Sequence, residues 1–248
     1  MYFAQDYILF HPYPLEPSVQ LNFAETEFEE VSIAGHDSVQ ICGVLFNVDN
    51  PKGIVIYHHG NTGNIQACGW HHEEFTTRGY CCLIWDYRTY GKTPGPRTEE
   101  NFYQDGLSVF DWVSIQHSGL DIYLWGASLG TGIAAHTASK RNCKHLVLEA
   151  PYVSIEDIGT RQYPIFPKFI VKYPLRTHEH FPKIKCPITL FHGTNDNTIY
   201  WQSSEKLQAL NPSSTFVKLD GVGHNNISEH AEYQKVVMGL LGDTLVKS

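Results

Sequence analysis

The chain of 248 residues has little of the patterning that nucleic-acid-binding and membrane-spanning proteins show. It carries 18 Lys and Arg against 26 Asp and Glu, a formal net charge of -8, and no basic run stands out. Because a nucleic-acid partner favours the opposite sign, none is expected. No stretch approaches the run of about 18 apolar residues that a spanning helix needs. No transmembrane segment is expected either, although peripheral contact with a membrane stays open.

The sequence also lacks the cysteine patterns of disulfide-stapled and zinc-binding domains. Its six cysteines include no C-x-x-C pair, and 42% of its residues are hydrophobic, so a core can form without staples. The N-terminus has neither the basic region nor the cleavage site of a signal peptide. We therefore expect reduced thiols, a cytoplasmic location, no metal or cofactor, and one domain over residues 1–248.

Apolar runs of strand length alternate with helical patterns along the chain. The predicted strands are 28–33, 39–46, 53–58, 80–85, 122–125, 145–148, 188–191 and 215–219, and the predicted helices are 65–78, 102–117, 129–139 and one from about 227. The first two strands flank a turn and predict a hairpin, and the others are near-continuous apolar runs typical of parallel strands. The sequence predicts an α/β fold with a mostly parallel, twisted sheet of about eight strands flanked by helices.

Residues 152–186 break this alternation and are rich in proline and aromatic side chains. A segment this long without a clear pattern is usually functional in a compact domain. We interpret it as a short lid over the site, with Phe166 and Phe169 as substrate-binding residues. The alternative is a surface excursion whose aromatic rings pack on the core.

The strongest local signal is the G-x-S-x-G pattern from Gly126 to Gly130. An apolar strand leads directly into it, and an alanine-rich helical stretch follows it. Strand, tight turn and helix are the context of a nucleophile elbow, in which Ser128 would be the nucleophile. The alternative is a glycine-rich turn with a capping serine.

A second loop, residues 58–64, follows an earlier strand and is rich in glycine and asparagine. We predict that the backbone N–H of Asn61, together with that of Leu129, forms an oxyanion hole. The adjacent His58 and His59 raise the possibility of a metal site. Successive side chains of a strand face opposite sides, so these two would not converge on one ion.

Two further loops follow late strands and supply the partners that a serine nucleophile needs. His224 lies in the loop after the last strand and is predicted to act as general base, with Asp196 as its partner. Their order after the serine is the order expected of this arrangement. Glu149 is the rival acid and His230 the rival base. Asp86 is assigned a structural role in its own turn.

These motifs together resemble the compact α/β-hydrolases typified by the Bem-type proteins and the α/β-hydrolase-domain depalmitoylases. The matching motifs are His-Gly-Asn-x-Gly-Asn at 59–64, Asp-Tyr-Arg-x-Tyr-Gly at 86–91, Gly-x-Ser-x-Gly at 126–130, Glu-Ala-Pro-Tyr at 149–152, His-Gly-x-x-Asp at 192–196 and Gly-x-Gly-His at 221–224. The resemblance implies the α/β-hydrolase fold and a hydrolase acting on acyl substrates through Ser128, Asp196 and His224. Thr89 stands where the family has glycine, which implies an altered loop beside the pocket.

The leading functional prediction is therefore a serine hydrolase that cleaves a small-molecule carboxylic ester or thioester. Acidic residues in or near the predicted lid, Glu156, Asp157 and Glu179, keep an aminopeptidase-like amide hydrolase open as the alternative. A non-catalytic binding protein on the same fold is the other alternative, because function belongs to the site rather than the fold. The sequence does not indicate an oligomeric state.

Overall fold

The computed structural model describes residues 5–24, 26–162 and 170–243. Within these ranges the chain forms ten strands and nine α-helices. The strands are β1 His11–Pro12, β2 Glu29–Ala34, β3 Gln40–Phe46, β4 Ile54–His58, β5 Thr62–Gly63, β6 Cys81–Trp85, β7 Ile122–Ala127, β8 His145–Glu149, β9 Ile188–Gly193 and β10 Thr215–Leu219. The helices are α1 Gln5–Leu9, α2 Ile65–Cys68, α3 Glu73–Thr76, α4 Glu99–Gln116, α5 Gly130–Lys140, α6 Ile155–Gln162, α7 Thr177–His180, α8 Gln202–Leu210 and α9 Ala231–Leu241.

Eight of these strands form one sheet in the order β10-β9-β8-β7-β4-β6-β3-β2. Strands β2 and β3 form the predicted antiparallel hairpin, and β3 also pairs antiparallel with β6. All the other ladders of this sheet are parallel. The predicted fold, an eight-stranded and mostly parallel sheet flanked by helices, is confirmed.

Alternate residues of each central strand enter two separate cores, because strand side chains point to opposite faces. In β4, Ile54 and Ile56 belong to the core covered by α4 and α5, whereas Val55 and Tyr57 belong to the core covered by α9. A parallel sheet buried on both faces requires such continuous apolar strands. The sheet's interior is thus closed, and the polar groups of the site lie at the strand ends.

Three predicted helix boundaries are corrected. Helix α4 begins three residues earlier than predicted, because Thr98 caps it by accepting the N–H of Asn101. The last α-helix begins at Ala231 rather than near 227, because His230 caps it and a 3-10 turn precedes it. The predicted helix over 65–78 is interrupted by a 3-10 turn that starts at Gly69, whose backbone lies against the Phe23 ring.

The segment predicted to be a lid contains two helices, α6 and α7, in its described part. Phe166 and Phe169, the predicted substrate-binding residues, lie outside the described residues, so their role stays a prediction. All six cysteines are free thiols. Among the described helices, none combines the length and apolar character that crossing a membrane requires.

Candidate active site

Ser128 lies in the tight turn between β7 and α5, in a left-handed backbone conformation with φ of 50°. For a residue with a side chain this conformation costs about 1–2 kcal/mol. The surrounding structure holds it there, since the Ser128 N–H donates to the carbonyl oxygen of Glu149 at 2.9 Å. A Cβ on Gly130 would come within 2.1 Å of the His58 carbonyl oxygen, and one on Gly126 within 2.8 Å of the Gly130 oxygen. The two glycines of the motif are therefore sterically required.

His224 lies in the loop after β10 and reaches Ser128 across the sheet edge. Its Nε2 is 3.0 Å from the Ser128 Oγ, and its Nδ1 is 2.7 Å from Asp196 Oδ2. An ionised carboxylate can only accept hydrogen bonds, so Nδ1 must carry the ring proton. Nε2 is then free to accept the hydroxyl proton of Ser128. The structure thus brings together the three residues that the sequence singled out.

Asp196 is buried just after β9, and its carboxylate is fully engaged. Oδ1 accepts the backbone N–H groups of Thr198 and Ile199, each at 2.8 Å. Burial raises the pKa of Asp196, but hydrogen bonds from His192 and His224 outweigh this and hold the pKa below its usual range. The carboxylate therefore stays ionised at neutral pH and keeps the His224 ring in one tautomer.

His192 is a residue of the site that the sequence reasoning did not assign. Its Nε2 lies 3.3 Å from Asp196 Oδ2 and 2.7 Å from the Ile199 carbonyl oxygen, and its Nδ1 lies 2.8 Å from the Ser204 hydroxyl. It is completely buried and ties the Asp196 loop to helix α8. The His-Gly-x-x-Asp motif contained this residue, but the spacing alone did not show that its ring faces the carboxylate.

Glu149, the rival acid, does not contact His224. Its Oε1 accepts the indole N–H of Trp125 at 2.6 Å and the hydroxyl of Tyr233 at 2.7 Å. Burial raises the pKa of this carboxyl. His230, the rival base, caps α9 and accepts the N–H of Glu232.

The predicted oxyanion donors lie beside Ser128. Asn61 and Leu129 both line a cavity that Ser128 also lines. Leu129 directly precedes α5, where backbone N–H groups have no partner within the helix. In the described part of the chain, neither Asn61 N–H nor Leu129 N–H donates to another residue. Both are therefore available to a substrate oxygen, which is what the predicted role requires.

The loop that carries Asn61 is held by the 86–91 motif. The Tyr87 hydroxyl donates to the His59 carbonyl oxygen at 2.7 Å, and the Tyr90 hydroxyl to that of Asn61 at 2.8 Å. Asp86 also accepts the Ile65 N–H at 2.9 Å, so it braces this neighbouring loop, while its role in its own turn stays a prediction. Thr89 has a φ of 73°, the conformation for which glycine is favoured. The loop keeps its turn despite the missing glycine.

Two cavities of different character flank Ser128. One, of about 150 Å³, is largely apolar and is lined by α1, by α6 and by Ile199. Its apolar walls include Ile8, Leu9, Phe10, Ile155, Ile158 and Ile199. The other, of about 230 Å³, is more polar and includes His71, Glu149, His224 and Asn225. Sequence reasoning missed the first set, because these positions lie far apart along the chain.

The pair of adjacent histidines does not form a metal site. The His58 ring Nδ1 lies near the Trp125 carbonyl oxygen, whereas the His59 ring stacks on Tyr87. Across the described ranges, no group of three or more His, Cys, Asp or Glu side chains is arranged to hold a metal ion.

A mostly parallel sheet that presents a strained serine next to a histidine and a buried aspartate defines a serine hydrolase of the α/β-hydrolase fold. A family model described as serine aminopeptidase, S33, matches residues 49–179, just over half of the chain. The chain belongs to this family, and the predicted membership of the α/β-hydrolase superfamily is confirmed.

Curated relatives and solved structures agree with this assignment. The lysophosphatidylserine lipase ABHD12 of Macaca fascicularis is 29% identical over 181 residues, covering 63% of this chain and 45% of that protein. The Xenopus tropicalis protein of the same name is 26% identical over 226 residues, covering 77% and 58%. The chain thus spans about half the length of the curated relatives it matches. The Pyrococcus furiosus esterase Pf2001 superposes with a TM-score of 0.74 at 20% identity, over 92% of this chain and all of that one.

Proposed function

We propose that this serine hydrolase cleaves carboxylic esters or thioesters by transferring the acyl group to Ser128 and then to water. The observation that carries the proposal is the hydrogen-bonded series from Asp196 through His224 to Ser128, with an apolar cavity on one side of the serine. The names of the relatives, a lipase and an esterase, point in the same direction.

In the proposed mechanism, the Ser128 Oγ forms a bond to the acyl carbon while His224 Nε2 takes its proton. The N–H groups of Asn61 and Leu129 stabilise the negative charge that develops on the acyl oxygen. His224 then gives the proton to the leaving group as the carbon–leaving-group bond breaks. Water repeats the sequence on the acyl-enzyme, releasing the acid and restoring Ser128.

The two cavities take different parts of the substrate in this scheme. Because His224 must protonate the leaving group, the leaving group belongs in the cavity that His224 lines. The acyl chain then extends into the apolar cavity between α1 and α6, which His224 does not line. Burial of its methylenes there contributes about 0.8 kcal/mol each.

Covalent labelling tests the proposal directly. A fluorophosphonate probe should label Ser128 in the native protein, and Ser128→Ala should abolish the label without unfolding the chain. Ser228→Ala is the matched control, since Ser228 lines the leaving-group cavity while the side-chain hydrogen bonds of His224 go to Asp196 and Ser128; it should label normally. A label on another residue would overturn the assignment of the nucleophile.

A substrate panel tests the bond that is cleaved. Esters and thioesters of short acids should be hydrolysed by the wild type, whereas aminoacyl amides should be poor substrates. Faster cleavage of amides than of esters would replace the proposed ester substrate by a peptide.

A further inference from the structure

The leaving-group cavity contains a buried carboxylate that the proposed mechanism does not use. Glu149 ends β8 beside the nucleophile, and its backbone oxygen accepts the Ser128 N–H. Only 9% of the residue is exposed. The Trp125 and Tyr233 donors both go to Oε1, and Oε2 has no hydrogen-bond partner among the residues that the structure describes. Half of this carboxylate is thus unpaired at the wall of the cavity.

The cavity beyond Glu149 is aromatic. A second space, which is distinct from the acyl cavity, adjoins the leaving-group cavity. It measures about 150 Å³, and both are lined by Tyr57, His71, Glu149 and Ser228. The other walls of the second space are the rings of Trp70, Phe75, Trp125 and Tyr233 together with two further acidic residues, Glu73 and Glu74. Trp70 is 59% exposed. The rings of Trp70 and Tyr57 both stack on His71, with 3.7 Å and 4.7 Å between the ring centroids. The two spaces together run from Ser128 past a carboxylate to an aromatic wall.

Among the residues that the structure describes, no lysine or arginine offsets the charge of Glu149 inside these two spaces. Arg78, which lies nearby, is engaged with Glu74 at 3.0 Å. Burial lowers the pKa of His71 to about 4, so its ring is neutral at physiological pH. Glu149 therefore faces the cavity without a positive partner.

An ionised buried carboxylate is costly unless an opposite charge or further hydrogen bonds compensate it, which is why burial raises the pKa of Glu149. A cation bound beside it would supply the opposite charge and favour the ionised form. A bare metal ion does not fit, because no group of three ligating side chains exists in the described ranges. An organic ammonium does fit, because its charge can face Glu149 while its methyl or methylene shell lies against aromatic rings. Glu73 and Glu74 also line the second space, and Glu74 pairs with Arg78. The combination of acidic side chains and aromatic rings thus selects a large, weakly hydrated cation.

We propose that the leaving group of the substrate carries a positively charged ammonium group, which binds between Glu149 and the stacked rings of Tyr57, His71 and Trp70. This inference rests on the proposed ester hydrolysis, because that mechanism places the leaving group on this side of Ser128. Glu149 is here a specificity-determining residue, and it takes no part in bond cleavage.

Two esters that differ only in charge test the proposal. Butyrate esters of choline and of 3,3-dimethylbutanol have the same shape, with N⁺ replaced by carbon. The wild type should hydrolyse the choline ester with a kcat/KM about tenfold higher or more. In Glu149→Gln, whose amide oxygen can still accept from Trp125 and Tyr233, the ratio of the two kcat/KM values should fall toward one. Glu205→Gln removes the same charge at an exposed position on α8, and it should leave the ratio of the two kcat/KM values as in the wild type.

Binding without turnover separates failure of this inference from failure of the proposed function. Choline should bind Ser128→Ala more tightly than 3,3-dimethylbutanol does, as measured by calorimetry, and the double variant with Glu149→Gln should lose the difference. Equal kcat/KM values for the two esters would overturn the ammonium site and leave ester hydrolysis standing. If neither ester is hydrolysed, equal binding of the two alcohols overturns the site, whereas tighter binding of choline supports it while the hydrolysis proposal fails.

Discussion

Replacing Asp196 by asparagine exchanges one oxygen of a buried side chain for an NH₂ group, and the structure determines where that group must point. Oδ1 accepts two backbone N–H groups, from Thr198 and Ile199. If the NH₂ group faced them, two buried donors would lose their acceptor, at about 1–3 kcal/mol each. The asparagine oxygen therefore stays on that side, and the NH₂ group faces His224.

A donor at that position reverses the tautomer of His224. The ring Nδ1 must then accept, so the proton moves to Nε2, which can no longer take the hydroxyl proton of Ser128. In a triad protease the equivalent substitution lowers kcat about 10⁴-fold for this reason. We expect a loss of similar size in Asp196→Asn, with little change in KM, because neither cavity beside Ser128 is lined by Asp196.

Stopped-flow release of p-nitrophenol from a short ester measures this loss, and ¹⁵N NMR of the His224 ring reads out the tautomer. Glu149→Gln is the matched control, since it neutralises the rival acid and should cost less than tenfold on a neutral ester. Thermal unfolding checks that both variants are folded. An Asp196→Asn enzyme within tenfold of the wild type, or a larger loss in Glu149→Gln, would refute the assignment of the acid.

The remaining predictions concern the acyl cavity and the buried glutamate. Across p-nitrophenyl esters of 2 to 16 carbons, kcat/KM should rise by up to roughly fourfold per methylene and level off before the longest chain, because the cavity of about 150 Å³ fills early. Ile158→Ala should move the optimum to longer chains, whereas Ile227→Ala, in the other cavity, should not; a rate that still rises at 16 carbons contradicts the assigned cavity. Burial raises the pKa of Glu149 above its unfolded value of about 4.3. The folded state therefore binds the Glu149 proton more tightly than the unfolded state does. The stability that this proton contributes is present at low pH and is lost as pH rises through the folded pKa. The melting temperature of Glu149→Gln relative to the wild type should therefore increase from pH 4 to pH 8, and a difference that is constant across this range would exclude a raised pKa.

Much of the fold could be predicted because its signals are local. Continuous apolar runs indicate buried parallel strands, and the glycines around Ser128 indicate a tight turn. Both signals can be read from a single sequence. The helix starts were less accurate, since a cap depends on one side chain finding a nearby N–H, as Thr98 and His230 do. The general pattern of hydrophobic residues does not contain that information.

The site was predictable to the extent that its residues follow strands. Ser128, Asp196 and His224 each come directly after a strand, so their proximity follows from the topology of the sheet. His192 and Glu149 are also at strand ends, but their partners are set by side-chain directions that only the packed structure defines. The walls of the acyl cavity come from α1, α6 and the 198–199 loop, whose proximity no local pattern encodes.

This distribution of the acyl cavity along the chain has an evolutionary consequence. The groups proposed to break the bond are encoded between residues 61 and 224, whereas Ile8, Leu9 and Phe10 come from the first ten residues. Substitution of these three side chains changes one wall of the cavity, whereas loss of the stretch would also remove the Leu9 carbonyl oxygen that accepts the Asn61 side-chain amide at 3.0 Å. Substitutions at these positions can therefore change which acyl chain is accepted without changing the residues that cleave the ester. Homologues with different N-terminal sequences should accordingly differ in their preferred acyl-chain length.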